Sequence, residues 1–173
     1  MKIATKIPGF QIRKAGIEDC STVLGFISEL AEYENLSHEL VATIPILEQS
    51  LFGEKPYAEV LIGEFKGIAV SYALYFHNFS TFTGRPGIYL EDIYVKPAMR
   101  GKGYGKSLLS YLAKLAVDNK FTRVEWSVLD WNEPSIQFYR SIGAEPMDGW
   151  TVQRLDGDAL SNFAEQFSEQ NYH

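Results

Sequence analysis

The sequence is 173 residues long, 46% hydrophobic and 14% aromatic, with a formal net charge of −6. That length and apolar content suit one domain around a single core, and they exclude a disordered chain or two comfortable domains. An acidic surface repels phosphate backbones, which argues against nucleic acid as a partner and suits a cationic ligand. The lone cysteine, Cys20, cannot form a disulfide within the chain. His38, His77 and His173 are scattered without metal-ligand spacing, so no metal site is expected. No apolar run approaches the roughly 18 residues of a membrane span, so no membrane partner is expected. The N-terminus lacks a signal peptide's apolar stretch, and a reducing cytoplasm is the default compartment.

In chain order, Phe10-Gln11-Ile12-Arg13 alternates and reads as a short strand. From about Glu18 to Tyr33, Cys20, Val23, Leu24, Ile27, Leu30 and Ala31 share one helical face. Thr43 can cap a second helix, with Pro45 in its first turn and Leu47 and Leu51 facing inward. Tyr57 to Phe65 and Ile68 to Phe76 read as two strands joined by a Lys66-Gly67 hairpin turn. A polar loop is expected from His77 to Gly87. Ile88 to Val95 is the next strand, and a Gly-rich loop, Arg100 to Lys106, leads into a helix with Leu108, Leu109, Leu112, Leu115 and Ala116 as its buried stripe. Val124 to Leu129 follows as a strand. Asn132 and Pro134 open a short helix ended by Gly143, and Trp150 to Leu155 reads as a last strand. The polar tail beyond Leu160 receives no assignment. The pattern predicts a single α/β domain over residues 1–173, core about 10–155, with one central, mixed sheet flanked by helices.

The loop Arg100-Gly101-Lys102-Gly103-Tyr104-Gly105-Lys106 lies between a strand and a helix. Glycines let successive N–H groups turn toward one point, and the helix N-terminus adds partial positive charge. Arg100, Lys102 and Lys106 add full charges, and together these features suit a pyrophosphate; a tight turn with solvated basic residues is the plainer alternative. A P-loop requires G-x-x-x-x-G-K-[ST], but Arg100 stands where its first glycine belongs. The spacing of Gly101, Gly103 and Gly105 also fails the dinucleotide fingerprint G-x-G-x-x-G. What remains is R-x-x-G-x-G.

Arg100, Gly103 and Gly105, placed after a strand ending Tyr94-Val95, resemble the acetyl-CoA loop of the GNAT superfamily. Trp131 to Arg140, Gly143-Ala144 and Tyr89-Leu90-Glu91-Asp92 sharpen the resemblance to the diamine (spermidine/spermine) N-acetyltransferase family, which includes a thialysine branch. The resemblance runs from about Phe10 to Leu155 and implies a bent, mixed sheet that splays to admit acetyl-CoA. It implies that Ile93, Tyr94 and Val95 line the acetyl and pantetheine arm, and that Arg100, Gly101, Lys102, Gly103, Tyr104, Gly105 and Lys106 hold the pyrophosphate. Asn132, Glu133, Pro134 and Ser135 would touch the CoA side. Substrate contacts map to Tyr33, Glu34, Glu91 and the strand Glu125-Trp126-Ser127, with Asp148 and Trp150 beside them; a solvated face is the plainer reading of these charges. Asp92 adds a further acid. Tyr139 matches the family's proton donor. Homodimers are usual in the family, and Phe163, Phe167 and Tyr172 could serve such contacts.

An amine with a pKa of about 10.4 is rarely neutral at physiological pH, so aminolysis of a thioester needs a proton acceptor. Glu91, directly or through a water, is the expected base; an ordinary exposed strand residue is the alternative. Of adjacent Glu91 and Asp92, one must point to each face of a regular strand. Tyr139 is the expected acid toward the departing thiolate. Full transfer from an unperturbed tyrosine to a thiolate is uphill by about 2 kcal/mol, so Tyr139 either only hydrogen-bonds the sulfur or has its pKa lowered by the helix N-terminus; a core aromatic is the plainer reading. Cys20 lies on an apolar helix face with no histidine near it in sequence, which favours direct transfer in a ternary complex over an acetyl-cysteine intermediate. The loop His77-Asn78-Phe79-Ser80-Thr81-Phe82 carries no acid for a far amine, and Leu129-Asp130-Trp131-Asn132 resembles the thialysine branch. A small cationic amine is therefore the expected substrate, with spermidine second. A GNAT enzyme acting on a protein amine and a non-catalytic acetyl-CoA sensor are the competing functions.

Overall fold

A computed structural model describes residues 1–167; Tyr172 and His173 lie outside the described residues. Two compact units divide the chain, Met1–Ser127 and the residues from Val128 onward.

The first unit contains a six-stranded sheet in sequential order. Its strands are β1 (Lys2–Ala4), β2 (Phe10–Lys14), β3 (Glu59–Phe65), β4 (Ile68–Ser80), β5 (Arg85–Val95) and β6 (Val124–Trp126). Neighbours pair antiparallel except β5 and β6, which run parallel, so the sheet is mixed as expected. The Lys66-Gly67 turn joins β3 to β4 with φ of 50° and 82°, the left-handed pair that matches strand twist in a two-residue hairpin. The expected loop after His77 is mostly strand: β4 continues to Ser80 and β5 begins at Arg85. His77, Asn78, Phe79 and Ser80 pair with Ile88, Gly87, Pro86 and Arg85, a ladder that overrides their polar and turn-forming character. The pattern also missed β1, a three-residue edge strand too short to show alternation.

Helix α1 (Cys20–Tyr33) and helix α2 (Ile44–Phe52) cover one face of the sheet. Cys20, Val23, Phe26, Leu47, Leu51, Val60, Ile62, Tyr72 and Tyr94 form that core. Helix α3 (Tyr104–Asp118) packs against β3, β4 and β5, burying Leu108, Leu109, Leu112 and Ala116 at the helical period the sequence displayed. Truncating any one of these three leucines to alanine would cost about 2–5 kcal/mol.

The second unit contains helix α4 (Glu133–Ser141) and helix α5 (Gly157–Ala164), the latter in the tail that the sequence left unassigned. The expected strand from Trp150 to Leu155 is not formed: the segment is irregular, with Trp150 at 78% and Val152 at 84% exposure. Alternation specifies which face a strand would bury; it does not supply a ladder partner. The expected strand from Val124 to Leu129 shortens to Val124–Trp126 for the same reason.

Candidate active site

Strand β5 is asymmetric along its length. Ile88, Tyr89 and Leu90 pair with β6 on one side and β4 on the other. From Glu91 to Val95 the strand pairs with β4 alone, so among the described residues one edge of this half-strand has no ladder. The register also shifts here: Leu74 faces Asp92 and Tyr75 faces Leu90, which leaves Glu91 as the extra residue of a bulge. A backbone edge outside any ladder can accept an amide-bearing chain such as a pantetheine arm, strand fashion.

The Gly-rich loop follows directly. Gly101 and Gly103 have φ of 74° and 83°, a conformation that a side chain disfavours. Gly103 is the N-cap of α3 and offers no side-chain cap, so the first-turn N–H groups are left for another acceptor. Tyr104, Gly105 and Lys106, expected in the loop, form that first turn. Tyr104 is buried and stacked on Phe10 at 4.2 Å, with Phe65 at 5.8 Å, which fixes the helix N-terminus to β2 and β3. A methyl on Gly105 would meet only Val95 Cγ2, at 3.5 Å.

Arg100 turns back on the chain. Its Nε donates to the Val95 carbonyl at 2.9 Å, and its guanidinium lies 4.8 Å from the Tyr33 ring and 5.4 Å from the Tyr94 ring. It thereby ties the loop to the end of α1. The Lys102 ammonium lies 3.4 Å from the Ala98 carbonyl oxygen and Lys106 is exposed, so both basic groups are at the surface of the loop.

Below the loop, acids gather on the α1 side of the sheet. The Tyr72 hydroxyl donates to Asp92 Oδ2 at 2.7 Å. Burial pushes the Asp92 carboxyl above the usual carboxylate range, and the Tyr72 hydrogen bond opposes that rise. Glu34, just beyond α1, is likewise raised, by burial first and then by the Asp92 charge. Among the described residues, neither carboxylate forms an ion pair with Lys, Arg or His. Glu91 is exposed at the bulge, and its charge reaches Tyr72 as do those of Asp92 and Glu34. The neighbouring strand contributes differently. Glu125 is ion-paired to Arg123, Trp126 is half-buried, and Ser127 Oγ shares a hydrogen bond with the Tyr89 hydroxyl at 2.8 Å.

In the second unit, Asn132 is buried and its Oδ1 accepts from the Ser135 N–H at 3.4 Å, capping α4. Glu133 accepts from Gln137 at 3.1 Å, and Pro134 occupies the first turn. Tyr139 is half-buried on this helix with Phe138 at 5.5 Å, while Asp148 is exposed in a turn. Cys20 is 1% exposed, and burial pushes its thiol pKa up, the opposite of what a nucleophilic thiolate requires. Sequence reasoning overlooked Tyr72. Its partner is 20 residues away on the next strand, and no local spacing announces the pair.

A sheet opened beside a bulged strand, followed by a glycine-rich turn into a helix, defines the class. The sequence model of the acetyltransferase (GNAT) family matches residues 25–144, and the chain belongs to that family, whose members transfer acetyl groups from acetyl-CoA to amines. It is 37% identical over 164 residues to a thialysine N-epsilon-acetyltransferase of Bos taurus, a match spanning 88% of this chain and 96% of the relative. It is 30% identical over 195 residues to an L-ornithine N5-acetyltransferase of Arabidopsis thaliana, covering 87% and 86%. An integron cassette protein from the mobile metagenome of V. cholerae shares the fold, with a TM-score of 0.77 and 24% identity over 91% of this chain and 98% of that one.

Proposed function

We propose that the chain acetylates a primary amine of a small cationic substrate, a thialysine- or ornithine-like amino acid or a short diamine, by direct transfer from acetyl-CoA in a ternary complex. The observation that carries this reading is the Asp92–Glu34 pair: two partly buried carboxylates on one face with no cation of their own among the described residues, beside the open half of β5. Burying carboxylates without a counter-ion is unfavourable, and a substrate cation supplies what the fold omits. The relatives named for thialysine and ornithine support a small amino acid. The β4–β5 hairpin ends in residues 81–84 without an acid, which leaves a long polyamine one contact fewer.

Acetyl-CoA supplies the activated acetyl group. The open edge at Ile93 to Val95, the two left-handed glycines and the uncapped start of α3 fit its amide-bearing arm and pyrophosphate. In our reading Glu91 accepts the ammonium proton, directly or through a water, so that the neutral amine can form the N–C bond as the C–S bond breaks. Tyr139 donates a hydrogen bond to the departing sulfur, and the thiolate takes up the second proton that the nitrogen sheds on acylation. The buried thiol of Cys20 supports transfer without an acetyl-cysteine intermediate. The family match from residue 25 to 144 supports one acetyltransferase domain running across both units. The exposed Trp150, Val152, Phe163 and Phe167 support a homodimer, which a light-scattering mass would test. A cytoplasmic setting suits the lone thiol.

The test is thiol release from acetyl-CoA against thialysine, lysine, ornithine, 1,4-diaminobutane, spermidine and spermine. Turnover on one small amine is expected, with Tyr139→Phe losing at least ~tenfold in kcat at unchanged acetyl-CoA affinity. Acetyl-CoA binding with no reactive amine would instead favour a sensor.

A further inference from the structure

A phenol with no solvent exposure has to place its hydroxyl on a partner, and the packing around Tyr72 leaves that hydroxyl little choice. The ring stacks on Phe26 of α1 at 5.3 Å and 7°, and Phe26 in turn tilts against Tyr94 at 6.2 Å. Moving the ring would open the core between α1 and the sheet. The hydroxyl is thus fixed 2.7 Å from Asp92 Oδ2. Burial first, then the charges of Asp92, Glu34 and Glu91, push its pKa well above the usual tyrosine range, so it stays a donor. One carboxylate oxygen is committed to Tyr72, and Oδ1 remains to meet a cation.

We propose that Tyr72 is a positioning residue for the substrate amine: by holding Oδ2, it sets the orientation of Asp92 so that Oδ1 faces the cation at a fixed depth. This rests on the reading of Asp92 as the cation site. The hydrogen bond also favours the ionised carboxylate against its burial. The titratable groups that couple to Asp92 are Tyr72 on β4 and Glu34 beyond α1, while the charge of Glu91, the preceding residue of β5, acts on the Tyr72 hydroxyl. Burial favours protonation of Asp92, and the Tyr72 hydroxyl opposes it. Without that hydroxyl, Asp92 takes up its proton at higher pH, and cation binding fails at higher pH.

Tyr72→Phe keeps the ring stack and removes only the donor. Steady-state kinetics with thialysine and acetyl-CoA should show kcat/KM for the amine falling about tenfold, with KM for acetyl-CoA held within about twofold. The acid limb of the amine kcat/KM profile should move up by about half a pH unit or more. In an Asp92→Asn background, adding Tyr72→Phe should change neither amine parameter further. An unchanged amine KM and acid limb in Tyr72→Phe, or an equal loss in both backgrounds, overturns the positioning role. If Asp92→Asn alone leaves the amine KM unchanged, the cation-site reading falls and the inference falls with it. Should Tyr72→Phe not fold, the wild-type Tyr72 hydroxyl proton followed by NMR decides: it must shift when thialysine binds, and a resonance indifferent to thialysine overturns the role.

Discussion

The first unit contains two acidic clusters with opposite electrostatics. In one, Asp19 accepts both guanidinium nitrogens of Arg13 at 2.6 and 2.8 Å, and Glu64 accepts from Arg13 at 2.6 Å and Lys2 at 2.7 Å. The Arg13 hydrogen bonds hold Asp19 below the usual carboxylate range. Glu64 is also lowered: burial, its largest single influence, acts upward, and the bonds from Lys2 and Arg13 together outweigh it. In the other cluster, Asp92 and Glu34 meet no cation among the described residues, and both are raised. The first cluster is closed within the chain and pins β1, β2, β3 and the start of α1 together. The second leaves a charge deficit that something outside the chain can fill. The difference separates carboxylates that hold the fold from carboxylates that bind.

The largest effect that would test this contrast is on stability. Arg13→Ala strands the buried Asp19 carboxylate and leaves Glu64 with Lys2 alone, and it should cost about 3 kcal/mol in urea unfolding while acetyl-CoA KM stays put. A loss below about 1 kcal/mol would make the network ornamental.

The pH response should separate the clusters next. Asp19 and Glu64 titrate below the unfolded value of about 4, so their contribution is fully present above it and is lost as pH falls through their lower folded values. Asp92 and Glu34 titrate above it, so their ionised forms cost stability at neutral pH, and acid relieves that cost. Between neutrality and about pH 5, amine binding should weaken while the midpoint of unfolding holds or rises. Loss of both together across that window would contradict the division.

A smaller change is expected of Glu34→Gln. Amine KM should rise about threefold, consistent with one partly screened charge, and stability should not fall. An unaltered KM would remove Glu34 from the site.

The sequence revealed what local pattern encodes. The glycine spacing from Gly101 to Gly105 placed the strand-to-helix turn, and the leucines of α3 placed its buried stripe. Adjacent Glu91 and Asp92 signalled a carboxylate out of place mid-strand, but the bulge that isolates Glu91 depends on the register with Leu74 and Tyr75. The Arg13 network joins residues up to 62 positions apart, and the Tyr72–Asp92 bond joins residues 20 apart. Such pairs depend on strand order, which periodicity does not specify. The segment from Trp150 to Leu155 shows the converse, a strand-like pattern without a ladder.

Asp92→Asn, measured for unfolding free energy and amine kinetics on one preparation, tests the central claim most directly. The account predicts a fold at least as stable as wild type together with an amine KM raised about tenfold or more, because the variant removes a charge that the fold itself does not compensate. A destabilised chain with unchanged amine KM would contradict it, and would move Asp92 into the same class as Asp19 and Glu64.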